Sequence, residues 1–324
     1  MLEHGPNDRD LSDVLAGLDA VPPNEIVRAS REIAAAARLG WRGPRYGFAL
    51  SRVFRKLSSE EDLLSDNPQF GWLFLFHPSG YVREAALAAI ETPPTSPFFF
   101  AALAWRLNDW VAPVRQAAKR CAESVLPLTA SDVAARSALY LLGRRFAWGR
   151  WSHEPDVLDA AFGRKDVAAT LAVQLRDRSS GPLATTLRLA LRYSNMDEHL
   201  PDLASHAVQP AVRAVAYQCL LSRTASWPAG YEWMWIDKVY GLRKRVPKLD
   251  SRELQTAPPI AGLIRQGIQD RSPKVRRVAA DALIDARAHL SDADRLIGQL
   301  AEDKNSAVRS RADYMLRNPI TQPA

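Results

Sequence analysis

The chain has 324 residues, of which 47% are hydrophobic and 24% charged, with a formal net charge of +7; this composition is typical of a folded globular protein. Its longest apolar runs, 70–76 and 98–105, are far shorter than the ~20 residues of a membrane-spanning helix. Its polar N-terminus also lacks the apolar stretch of a signal peptide. We therefore expect a cytoplasmic protein that does not associate with membranes, and the excess of arginine over lysine, 35 to 8, indicates a bacterial source.

The first 66 residues are helical in pattern, most clearly at 24–39, but they lack the repeat that follows. Terminal units of a repeat array need a polar outer face. We therefore predict that residues 1–66 form a helical N-terminal cap, and that the last residues, 318–324, are frayed.

Five later segments share one pattern: Val-Arg, then Ala three residues after the Arg, then an apolar or small residue four further on. The valines are Val82, Val114, Val212, Val275 and Val308. They are separated by 32, 98, 63 and 33 residues, which is close to one, three, two and one times 32. A fixed period of this length is typical of stacked-repeat proteins.

The pattern describes a helix in each unit. Apolar residues at positions 0, +4 and +8 from the Val lie on one helical stripe, and Asp, Ser and Pro before the Val are typical of a helix start. A second apolar segment precedes most units, and one helix pair cannot bury its own apolar face. We therefore predict an all-α, right-handed α-solenoid of stacked helix pairs over residues 67–324, with weaker units at 153–163 and 181–193.

The repeats resemble the HEAT-like family, especially its short form in phycobilisome-lyase-type proteins. In that family a turn Asp and an Arg six residues later form a ladder between neighbouring units. Asp109/Arg115, Asp270/Arg276 and Asp303/Arg309 have this spacing, whereas His77 and Ala207 replace the Asp. The resemblance implies that Arg115, Arg276 and Arg309 are structural.

One segment where a repeat is expected does not follow the pattern: SWPAGYEWMWIDKVYGLRKRVPKL, residues 226–249. We predict a divergent insert at about 226–256, made of a helix and a loop, with Gly241 as the helix stop. Trp233, Ile236 and Tyr240 have helical spacing and would pack on the repeats. We predict that Tyr231, Trp235, Arg243, Lys244 and Arg245 form an amphipathic patch that contacts a binding partner. In the alternative reading, the aromatic residues fill the place of a lost repeat and the basic run is merely solvated.

Positions +2, +5, +6 and +9 of each repeat helix are expected to line the concave face of the solenoid. The lining has both signs of charge, and Arg and Tyr are favoured in protein interfaces. The excess positive charge lies in residues 238–324, with 17 basic and 10 acidic residues, and such a surface can attract acidic protein or nucleic acid. The predicted partner-binding residues of the repeats are Lys119, Arg120, Arg188, Arg192, Tyr217, Arg277, Tyr314 and Arg317.

Motifs for catalysis are absent from the sequence. The six histidines and two cysteines have no zinc-site spacing, there is no phosphate loop or nucleophile elbow, and Cys121 and Cys219 fall on buried helical stripes. We therefore expect no cofactor, no metal and no enzymatic activity, and predict a scaffold or adaptor that binds a protein partner. The alternative is a nucleic-acid-binding protein, such as a DNA glycosylase of the HEAT-like AlkD type, for which Asp109-Trp110 and Trp233-x-Trp235-x-Asp237 are the candidate residues.

Overall fold

A computed structural model of the chain describes residues 8–37, 39, 60–144, 148–150 and 155–319. The described residues are mostly helical, with one two-stranded antiparallel sheet. The chain divides into two compact units, Met1–Val167 and Ala168–Ala324, and each is described by itself. Much of the predicted cap, most of the predicted frayed end, and residues 153 and 154 of the weak unit at 153–163 lie outside the described residues.

Nine α-helices are described in the first unit before the unit boundary. They are α1 (Asp8–Asp19), α2 (Ile26–Ala36), α3 (Glu60–Asp66), α4 (Phe70–Phe74), α5 (Gly80–Ala89), α6 (Pro97–Arg106), α7 (Ala112–Val125), α8 (Ser131–Arg144) and α9 (Pro155–Phe162). α10 (Lys165–Asp177) contains the boundary between the units.

The second unit continues with helices interrupted by the sheet. Its elements are α11 (Leu183–Ala190), α12 (Leu200–His206), α13 (Pro210–Ser222), β1 (Thr224–Asp237), β2 (Leu242–Glu253), α14 (Ile260–Ile268), α15 (Pro273–Ala286), α16 (Ala293–Ala301) and α17 (Ser306–Arg317). The prediction of an all-α chain is thus wrong for one segment, because β1 and β2 form a hairpin.

The core of the first unit surrounds α6, which is apolar on nearly every side and therefore buried all round. It packs against α1, α2, α7 and α8. Its phenylalanines stack on rings from neighbouring segments: Phe98 on Phe76 at 5.8 Å, and Phe100 on Phe162 at 5.5 Å between centroids. The apolar run at 98–105 is thus a core helix.

The five repeat helices are α5, α7, α13, α15 and α17. The alanine at position +4 is fully buried in all of them (Ala86, Ala118, Ala216, Ala279 and Ala312), so the predicted helical stripe is confirmed at this position. In the second unit, α13 packs on α15 and α15 packs on α17. A small side chain at +4 permits this close approach of neighbouring helices.

Arginine–aspartate pairs connect successive repeat helices. Arg83 donates to both carboxylate oxygens of Asp109, at 2.9 and 2.8 Å, and Arg213 pairs with Asp270 in the same way. Arg276 donates to Asp303 at 2.9 Å. Each of these arginines also donates to a backbone carbonyl six residues earlier, as do Arg115 and Arg309. The predicted bond within the turn is confirmed for Arg115, Arg276 and Arg309, and a bond to the next turn is confirmed for Arg276.

His77 takes the place of the turn aspartate in the first repeat. Elsewhere an Asp oxygen accepts from the backbone N–H two residues on, as Asp303 does from Asn305 at 2.8 Å. The Nδ1 atom of His77 accepts from Ser79 N–H at 3.0 Å, which requires a ring nitrogen without a proton. Burial lowers the pKa of His77 and so favours this neutral form.

The spacing of the pairs shows how the hairpin enters the array. Arg83–Asp109 and Arg276–Asp303 join residues 26 and 27 positions apart, whereas Arg213–Asp270 joins residues 57 positions apart. The repeats of Val212 and Val275 are therefore direct neighbours. The additional length between them forms β1 and β2, at the place where the sequence predicts a divergent insert instead of a repeat.

The pairs also predict a pH dependence of stability. Hydrogen bonds from Arg276 lower the pKa of Asp303 against the opposing effect of burial. A carboxyl group whose pKa is lowered on folding stabilises the fold above its unfolded pKa of about 4, and this contribution is lost as the pH falls through the folded value. We expect the free energy of unfolding in urea to decline below about pH 4, with a smaller decline for Asp303→Asn. The exposed Asp313→Asn is the control, and an equal decline in all three proteins would contradict this account.

Candidate partner-binding hairpin

Residues 224–253 form a β-hairpin, so the predicted helix over 233–240 is wrong. Aromatic side chains at the alternate positions 231, 233 and 235 of β1 favour a strand. In the turn, Oδ1 of Asp237 accepts from Val239 N–H at 2.8 Å and from Tyr240 N–H at 3.1 Å. Gly241 has φ +66°, a left-handed conformation that glycine adopts without strain. This glycine ends a hairpin turn and does not end a helix.

The base of the hairpin is fixed to the second unit by Arg252 of β2. Its guanidinium donates to both oxygens of Asp197, at 2.6 and 2.7 Å, and to the carbonyls of Leu191 and Tyr193. Ala225, on β1 opposite Arg252, is fully buried. An isolated two-stranded hairpin is only marginally stable in water. These contacts therefore stabilise the base of the hairpin and fix its position on the second unit.

Beyond the base, one face of the hairpin combines three aromatic rings with two arginines. Trp235 pairs across the strands with Arg243, and Trp233 pairs with Arg245. The guanidinium of Arg243 lies 4.5 Å from the Trp233 ring and 6.0 Å from that of Trp235, and that of Arg245 lies 4.3 Å from Tyr231. We call these five residues the aromatic–arginine face.

The aromatic–arginine face is open to solvent. Tyr231, Trp233 and Trp235 are 58%, 57% and 50% exposed, and both arginines are exposed. Each such cation–π contact contributes about 0.5–1 kcal/mol at an exposed site, which favours one arrangement of the side chains. The reading in which the aromatic residues fill the place of a lost repeat is therefore wrong, because they are not buried.

The structure brings together most of the predicted patch and corrects the rest. Tyr231, Trp235, Arg243 and Arg245 share one face. Lys244 lies opposite Met234 and so belongs to the other face, since side chains alternate along a strand. Trp233 belongs to the same face but was not included in the predicted patch. Its position two residues before Trp235 is the spacing that places two side chains on one face of a strand. Ile236 and Tyr240, predicted to pack on the repeats, are 63% and 80% exposed.

The predicted lining residues of the repeat helices are exposed or half-buried with one exception, Tyr217, which is 1% exposed. Its ring lies where a side chain on Gly267 would be, 3.3 Å from the position that a Cβ atom would take. Burial raises the pKa of Tyr217 to about 12. Tyr217 is therefore a core residue, and the prediction that it faces a partner is wrong. The exposed residues are Arg120, Arg188, Arg277, Tyr314 and Arg317, and the half-buried ones are Lys119 and Arg192.

A groove of about 580 Å³ lies beside the base of the hairpin in the second unit. Ser222, immediately before β1, and Ile260, at the start of α14, both line it. The groove carries both signs of charge, from Arg277, Asp281 and Asp285. Asp281 is itself paired with Arg311 at 2.8 Å, so part of this charge is already neutralised.

The residues considered for catalysis have structural partners. Asp109 accepts from Arg83, Arg106 and Val111 N–H, and Asp237 caps the hairpin turn. Cys121 and Cys219 are free and buried, and burial raises the pKa of these thiols to about 12 and about 11. Within the described ranges, no group of three His, Cys, Asp or Glu side chains could hold a metal ion.

Two further findings come from the comparisons with known proteins and from the helix lengths. Protein-family models give no match to the sequence, and no curated protein matches it. No helix in the described part of the chain is long and apolar enough to cross a membrane. The candidate site is therefore defined by its geometry.

Proposed function

We propose that the chain is a HEAT-like α-solenoid of right-handed repeats that binds a protein partner and does not catalyse a reaction. The stacking of α13, α15 and α17, joined by the Arg213–Asp270 and Arg276–Asp303 pairs, supports the repeat architecture. Repeat proteins of this kind present extended surfaces suited to protein recognition.

The observation that carries the proposal is the exposed aromatic–arginine face on a hairpin whose base is fixed. Trp, Tyr and Arg are the residues that most often dominate the energy of protein interfaces. Arg252 and Ala225 hold the base of the hairpin on the helices, which reduces the ordering cost of binding. The groove at the base, lined by Arg277 and Asp281, provides an adjoining mixed-charge surface for the same partner.

The competing proposal is nucleic-acid binding, since bases stack on aromatic side chains and arginines bind phosphate. The charge pattern favours protein, because duplex binding depends on many Lys and Arg contacts to phosphates. On the helices, Lys119 is already paired with Glu123 at 2.6 Å, and the groove contains Asp281 and Asp285.

Photo-crosslinking in the host cell distinguishes the two partners. A benzophenone amino acid is placed at position 235 on the aromatic–arginine face, and at Leu128 in the first unit, which is 69% exposed, as a control for random collisions. We expect adducts at position 235 that protease removes and nuclease does not, at several times the yield at Leu128. Nuclease-sensitive adducts would replace the proposal with the nucleic-acid alternative, and equal yields at both positions would contradict a binding role for the hairpin.

A further inference from the structure

The two arginines of the aromatic–arginine face have a different kind of partner from several other arginines of the second unit. Arg213, Arg252 and Arg276 each bind an aspartate. For Arg243 and Arg245 the described residues provide aromatic rings and no carboxylate within ion-pair distance. The hairpin's own Glu232 lies opposite Val246 and so on the other face. Arg243 and Arg245 therefore retain hydrogen-bond donors for an external anion.

The spacing of these arginines matches that of an extended peptide. They are two positions apart on β2, so their backbone positions lie roughly 6.5 Å apart along the strand. Carboxylate residues two positions apart on an extended chain are separated by the same distance. A guanidinium that lies over an aromatic ring still presents its N–H groups at its rim, where a carboxylate can accept two of them.

We propose that the aromatic–arginine face binds an extended acidic segment of a protein, with Asp or Glu at alternate positions facing Arg243 and Arg245. This inference rests on the proposed function and specifies the chemistry of the partner. The rings of Tyr231, Trp233 and Trp235 lie 4.3–6.0 Å from the two cations and would contact the apolar atoms of the same segment. With two cations on the face, the site suits a short carboxylate pair better than a long polyanion.

The test is a fluorescence anisotropy titration with a labelled peptide of alternating Asp and Thr. Arg243→Gln combined with Arg245→Gln is expected to weaken binding at least ~10-fold, because charge-assisted hydrogen bonds to the carboxylates are lost. The matched control is Lys244→Gln combined with Lys248→Gln, which removes the same charge from the other face of β2. We expect it to weaken binding less than ~3-fold. A peptide of alternating Asn and Thr is expected not to bind.

A second pair of substitutions separates recognition from hairpin order. Arg243→Lys with Arg245→Lys keeps both charges but loses the planar donors, and it is expected to weaken binding at least ~3-fold while the far-ultraviolet circular dichroism of the free protein stays unchanged. Equal losses in the Gln pairs on the two faces would overturn the inference. So would tighter binding of a thymidine oligonucleotide or of phosphatidylserine vesicles. If protein adducts form at position 235 but the acidic peptide does not bind, the proposed function stands and this inference is wrong.

Discussion

Asp109→Ala is expected to destabilise the first unit by about 3–5 kcal/mol, the cost of breaking a buried ion pair by removal of one partner. The side chains of Arg83, Arg106 and Asp109 are 3%, 8% and 1% exposed. Burial lowers the pKa of Arg106 to about 10, and the Asp109 carboxylate opposes this shift. Without Asp109, both buried guanidinium groups lose the carboxylate with which they pair.

Urea unfolding followed by circular dichroism measures this effect. Glu123→Ala is the matched control in the same unit, since Glu123 forms an exposed pair with Lys119 and such pairs contribute about 0–1 kcal/mol. A loss for Asp109→Ala no larger than that of the control would show that the buried triad does not hold the first two repeat helices together.

Replacement of residues 228–249 by Asn-Gly is expected to leave the helices intact and to abolish partner binding. Trp227 and Asp250 are directly opposed in the hairpin, so a two-residue turn of this sequence closes the shortened strands. The change keeps Ala225, Arg252 and the Arg213–Asp270 pair. Since the removed residues are mostly exposed, we expect the free energy of unfolding to change by less than about 1 kcal/mol.

The repeat helices could be predicted from the sequence because each carries its own signal. Ala at position +4 is buried in all five repeat helices and Val at position 0 in four of them, whereas Val82 is half-buried; this is the stripe that the helical spacing predicts. The Arg after each Val bonds locally to the backbone carbonyl six residues earlier. Tyr217 could not be placed in the same way. It occupies an outward position by helical spacing, but the ring is buried against Gly267, which is fifty positions away in the sequence.

The hairpin was missed because its residues satisfy two periodicities at once. Trp233, Ile236 and Tyr240 have helical spacing, whereas Tyr231, Trp233 and Trp235 have the alternation of a strand. Both faces of the hairpin are exposed, so no contrast between buried and exposed positions distinguishes the two readings. The decisive sequence signal was local: Asp237 and Gly241 bracket a short turn between an aromatic-rich and a basic-rich segment.

The most direct measurement of partner binding compares the unaltered chain with the Asn-Gly variant. Each protein is immobilised at equal density, and its affinity for the partner identified by crosslinking at position 235 is measured by surface plasmon resonance. If the aromatic–arginine face is the binding site, affinity falls at least ~100-fold, equivalent to about 2.7 kcal/mol, while the unfolding curve of the variant stays unchanged. An unchanged affinity in the shortened protein would contradict the account and place the binding site on the helices.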